Sequence, residues 1–108
     1  MGIELELRVK RAARGKGRQR DVVILGSHEH GDALAQALDG VVRGRLARVD
    51  PYRDTRFTEQ DAEAALPEVA ALVRECTDPA QRAALLDLAE LLRACAATPG
   101  GCLWFVGD

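Results

Sequence analysis

Ile3-Glu4-Leu5-Glu6-Leu7-Arg8-Val9 alternates apolar and charged residues at every step. A period of two is the signature of a strand with one face on a core and the other in water, the usual condition of an antiparallel sheet. The segment that follows, Arg11 to Arg20, carries Gly15 and Gly17 and shows no apolar period, so residues 10–20 read as a flexible basic loop. Beyond it, Val22-Val23-Ile24-Leu25 is a short apolar run that predicts a second strand, paired with the first as a hairpin.

Downstream the period changes. Leu34, Ala37, Leu38 and Val41 fall at helical spacing and Gly40 suits a helix C-cap, which predicts a short helix over Asp32–Asp39, with Ser27 as the N-cap of a longer version. Arg45 to Asp50 reads as a third strand ended by Pro51, which cannot donate to a ladder. Thr58-Glu59-Gln60-Asp61 resembles a capping box with Asp in place of Glu, and Ala62, Ala65, Leu66, Val69, Leu72, Val73 and Cys76 continue it as an apolar stripe. Pro67 is expected to kink or split that helix. Asp78, with Pro79 at the first helical position and Gln81 three residues past the cap, opens another helix that buries Leu85, Leu88, Ala89, Leu92 and Ala96 and ends at Thr98-Pro99-Gly100-Gly101. Cys102 to Val106 is apolar throughout, which places it inside the sheet with both faces covered. The expected fold is α+β, one domain over residues 1–108, with four mostly antiparallel strands in chain order β-β-α-β-α-α-β and the helix pair on one face.

Composition narrows the function classes. A chain of 108 residues that is 47% apolar supports one core, and with only Tyr52, Phe57, Trp104 and Phe105 as aromatics that core must be built from aliphatic residues and alanine. No apolar run approaches a membrane span, and the N-terminus has neither a secretion signal nor a lipidation motif, so a cytoplasmic protein without a membrane partner is expected. Cys76, Cys95 and Cys102 are odd in number and lack C-x-x-C spacing, which predicts free and mostly buried thiols. Residues 1–56 hold 12 basic and 8 acidic groups, a net +4, whereas residues 57–108 hold 3 and 9, a net −6. Seven of the fifteen cations fall within residues 8–20.

Three stretches carry candidate chemistry. Val22 to Asp32 runs from an apolar strand into His28-Glu29-His30-Gly31-Asp32, an H-x-H-x-D pattern resembling the first metal motif of the metallo-β-lactamase superfamily, except that Ala33 stands where that motif has its last His and the chain has no third His. A catalytic zinc needs three protein ligands, so His28 and His30 would have to recruit a carboxylate such as Asp32, Asp50 or Asp54, or a cysteine; an exposed polar loop is the simpler reading. The basic residues Arg11, Arg14, Lys16 and Arg18 suit phosphates, but no aromatic is interleaved with them to stack a base. Asp50-Pro51-Tyr52-Arg53-Asp54 brings two carboxylates, a phenol and a guanidinium together within five residues. Those groups suit an acid–base pair or, more simply, a turn closed by a salt bridge. There is no G-x-S-x-G, no nucleophilic Cys-His pattern and no phosphate-cradling glycine loop, so no cofactor is expected.

Arg48-Val49-Asp50-Pro51-Tyr52-Arg53-Asp54-Thr55-Arg56-Phe57 and the terminal Phe105-Val106-Gly107-Asp108 resemble a group of small bacterial proteins sharing an R-x-D-P-Y-x-D-T-x-F loop and a final F-[VI]-G-D. That resemblance implies no activity and no catalytic residue. The leading expectation is therefore a non-enzymatic module that binds another protein, of regulatory, inhibitor or adaptor type, through Tyr52, Arg53, Asp54, Trp104 and Asp108. A metal-assisted hydrolase using His28, His30 and a carboxylate from the loop at Asp50 to Asp54 is one alternative, and a nucleic-acid-associated protein acting through residues 8–20 is another.

Overall fold

The computed structural model describes residues 2–12 and 19–107. Arg14, Lys16, Arg18 and Asp108, all named above as candidate contact residues, lie outside the described residues. The elements run β1 (Ile3–Ala12), β2 (Gln19–Ser27), α1 (Gly31–Leu38), a 3-10 turn (Arg45–Arg48), β3 (Thr55–Phe57), α2 (Glu59–Glu75), α3 (Pro79–Ala96) and β4 (Cys102–Gly107). The four strands form one antiparallel sheet in the order β2-β1-β4-β3, which is the expected α+β fold with the last strand inside the sheet.

The alternation in β1 decides which face is covered. Ile3, Leu5 and Leu7 are buried, and in register Leu5 and Leu7 meet Phe105 and Leu103 of β4, with Phe57 of β3 beyond Leu103. The Phe57 and Phe105 rings lie 4.7 Å apart at 59°, the tilted arrangement aromatic pairs prefer. Onto this face pack Leu34 and Leu38 of α1, Ala62, Ala65 and Val69 of α2, and Leu85, Leu88, Leu92 and Cys95 of α3. Small residues at 62, 65 and 89 let the helices approach closely enough for one core to form from few aromatics. Among the described residues, no helix is long and apolar enough to cross a membrane.

Capping follows the sequence. Thr58 accepts from the Asp61 N–H while the Asp61 carboxylate accepts from the Thr58 N–H, the reciprocal box expected, and Asp78 accepts from the Gln81 N–H ahead of Pro79. Gly40, at φ +83°, follows the end of α1, where a left-handed residue is needed.

Four expectations are corrected. Residues 45–50 are not a strand: the carboxylate of Glu68 on α2 accepts the N–H groups of Arg45 and Leu46, both at 3.0 Å, and so caps a 3-10 turn, while the third strand is Thr55–Phe57. Pro67 does not split its helix; it sits on the exposed side of α2, which runs unbroken from Glu59 to Glu75. Lys10 to Ala12 and Gln19 to Arg20 are not loop, because β1 and β2 run on to Ala12 and Gln19 as a ladder. Ser27 caps no helix: it ends β2, and its hydroxyl donates to Asp87 of α3.

Candidate site on the open face of the sheet

Because the helices cover one face only, the even residues of β1 and of β4 look outward together. Register places Trp104 between Glu6 on one side and Arg56 on the other. The Arg8 guanidinium lies over the indole, 4.9 Å from the ring centroid, and is held there by Glu6, whose Oε1 accepts from Nε at 3.0 Å and Nη2 at 2.6 Å. Lys10 and Asp21, 3.7 Å apart, flank the same place. Arg8, Lys10, Asp21, Arg56, Cys102 and Trp104 line a shallow depression of about 280 Å³. The Arg56 side chain has no carboxylate partner among the described residues.

β4 is thus not covered on both sides by packed layers. Leu103 and Phe105 are buried under the helices, whereas Cys102, Trp104 and Val106 are half-buried on the open face. The Arg8 guanidinium lies over the indole there instead of a second layer.

The loop over residues 50–54 docks elsewhere. Asp50 Oδ1 accepts from the Tyr52 N–H at 2.8 Å and the Asp50 carbonyl from the Arg53 N–H at 3.2 Å, an Asx-type turn. Asp54 Oδ1 accepts from the Gly107 N–H at 3.3 Å. A side chain at Gly107 would begin 2.6 Å from the backbone N and O of Arg53, so the loop lies directly on the end of β4. Arg48 supports it from below, its guanidinium 5.1 Å from the Phe57 ring centroid and 3.2 Å from Asp61, and its carbonyl accepting from Thr55 Oγ1 at 3.4 Å. In this chain the two short motifs meet, and most of their residues have a structural task at the junction. Tyr52 is the exception, at 60% exposed. It does not share a surface depression with Trp104; it borders one with Asp32, Ala35, Gln36 and Asp39 beside α1.

Among the described residues, Asp61 is the most perturbed carboxylate. Burial works against its charge, but the Thr58 N–H and hydroxyl together with Arg45 and Arg48 outweigh it and hold the pKa at about 2. Its partners show that this is a brace between the 3-10 turn and α2. Burial pushes the Cys95 thiol the other way, up to about 11. All three thiols are free; Cys95 is buried, but Cys76 and Cys102 are only half-buried, less than expected.

His28 and His30 border a separate depression of about 510 Å³ with Glu4, Glu29 and Asp32. The His28 Nδ1 lies 2.7 Å from Glu4 Oε2, and no group of three or more His, Cys, Asp or Glu side chains among the described residues is placed to hold a metal ion. Of the predicted site residues, then, Arg53 and Asp54 meet the end of β4, Trp104 stands on the open face, and Tyr52 and the two histidines lie apart from it. Glu6 and Arg56 were not among the candidates, and Arg8 and Lys10 entered only as part of the basic run over residues 8–20, because their neighbour Trp104 is about fifty to a hundred residues away. The only signal available was their place in the wet-facing half of the strand patterns. Compared with known protein families, curated proteins and solved structures, the chain matches none.

Proposed function

We propose that this chain is a non-enzymatic protein-binding module, working in the cytoplasm, whose contact surface is the helix-free face of the sheet centred on Trp104. The observation that carries the reading is the half-buried indole under Arg8, with Arg56 and Lys10 beside it. Tryptophan and arginine are the residues that most often dominate binding energy at interfaces, and here they stand preassembled on rigid strands. Two cations lining one depression suit an acidic or aromatic side chain of a partner.

A second reading has one observation in its favour. The aromatic that the basic segment lacks in sequence is supplied across the sheet, so Trp104 with Arg8, Lys10 and Arg56 also suits a stacked base and its phosphates.

Affinity capture with wild-type protein, Trp104→Ala and Arg56→Glu tests both. A protein retained by wild type and lost by both variants, with melting unchanged, supports the first reading; truncation of Trp104 is expected to cost roughly 2 kcal/mol of binding. Loss of the catch on nuclease treatment moves the second reading ahead. Capture unaffected by either substitution removes the face from both.

A further inference from the structure

The sheet has two edges of unequal character. β3 is three residues long, whereas β2 offers nine residues of backbone with one side unpaired. Along β2 lie three consecutive apolar residues in water: Val23 at 48%, Ile24 at 43% and Leu25 at 46% exposure. A long apolar edge is a template for another strand unless something blunts it. A second anomaly lies near its start. Arg20 stands directly opposite Arg11, both exposed, and like charges in that position repel. Among the described residues neither has a carboxylate partner.

We propose that two copies of this chain pair antiparallel through β2 about a two-fold axis between Val23 and Ile24, joining their sheets into one of eight strands. The register follows from which face each residue occupies. Leu25 lies opposite Leu7, and Val22 opposite Val9, so both are on the helix-bearing face; Val23 lies opposite Arg8 on the open face, and the ladder skips Ile24, which is the extra residue of a bulge. A two-fold axis between antiparallel strands requires partners to share a face. That condition is met when Val22 pairs with Leu25, Asp21 with Gly26 and Arg20 with Ser27 of the second copy. Asp21 and Gly26 both lie on the open face, opposite Lys10 and Glu6, and Arg20 and Ser27 both on the helix face, opposite Arg11 and Leu5.

This register also supplies the missing counter-charge. Ser27 already donates to the carboxylate of Asp87 on α3, so an arginine placed across from Ser27 comes within reach of that carboxylate. The contact occurs twice, once on each side of the axis. The exposed Val23, Ile24 and Leu25 are covered in the same step. Pairing at the edge leaves the Trp104 face open, so the inference stands independently of the binding role proposed above.

Sedimentation velocity over a wide concentration range, with hydrogen exchange of β2, tests it. The wild-type chain is expected to dimerise, with protection of the outward β2 amides rising as dimer forms. Ile24→Lys sets two like charges at the axis and should abolish the dimer with melting of the monomer unchanged. Arg20→Glu and Asp87→Lys should each weaken association by about tenfold or more, and the double variant should recover most of the loss. Since Asp87→Lys also removes a partner of Ser27, its fold is checked by far-ultraviolet circular dichroism, and Arg20→Glu alone keeps the charge test decisive. A chain that stays monomeric with unprotected β2 amides would mean that the bulge blunts the edge, and it overturns the proposal. So does a dimer indifferent to Ile24→Lys.

Discussion

Gly107 and Cys95 show opposite ways in which a single residue is constrained. At Gly107 the constraint is space: a β-carbon would begin 2.6 Å from the backbone of Arg53 and 2.7 Å from the Pro51 carbonyl, and backbone cannot swing aside as a side chain does. Gly107→Ala should therefore push the loop off the end of β4 and lower stability by about 1–3 kcal/mol, read from chemical denaturation. At Cys95 the constraint is solvation. With no exposed surface and a thiol pKa raised to about 11, it should react with a thiol reagent only as fast as the protein unfolds, while the half-buried Cys76 and Cys102 react sooner. Mass spectrometry of partially modified native protein checks the order. The cysteines' freedom was legible in their number and spacing; their unequal burial was not, because Cys102 lies on the strand face that no helix covers.

At the scale of elements, the brace between the 3-10 turn and α2 carries a pH dependence. The folded-state pKa of Asp61, about 2, is depressed from an ordinary 3.8. Its contribution to stability is thus fully present above about pH 4 and is lost as the pH falls toward 2. Asp61→Asn should flatten the acid limb of the stability curve in that window, which urea unfolding at stepped pH measures. Thr58→Ala should cost about 1 kcal/mol through the lost cap. The capping box of α2 and the Asp78 cap of α3 were readable because all their partners lie within three residues. The mistaken strand at Arg45–Asp50 has the converse cause: its backbone donors are taken by Glu68, more than twenty residues on, and local pattern carries no information about a partner at that distance.

For the molecule as a whole, the sheet divides into a supported and an unsupported part. β4 pairs with β1 only from Ile3 to Arg8, so Val9–Ala12 and Gln19–Val22 form a two-stranded arm beyond the end of β4. The core residues of β1 are Ile3, Leu5 and Leu7, all within the supported part. Replacing residues 11–20 with a short tight turn is therefore expected to change the unfolding free energy by no more than about 1 kcal/mol. A larger loss would mean that the arm takes part in the core. The same variant lacks Arg20 and so should also dimerise poorly.

The amino-acid sequence by itself determined the α+β class, the hairpin, the three helices, the N-caps of α2 and α3 and the inner position of the last strand. Each of these is written in short-range periodicity, in residues that cap or turn the chain locally, or in a run too apolar for an edge. Tertiary structure alone decided which charges surround Trp104, that the Tyr52 loop sits on Gly107 while Tyr52 itself borders a depression beside α1, and that Val23, Ile24 and Leu25 lie on an edge in water. Those facts depend on strand order and register, which set neighbours across distances of up to about a hundred residues. An apolar run such as Val22–Leu25 reads alike whether the sheet continues beyond it or stops there.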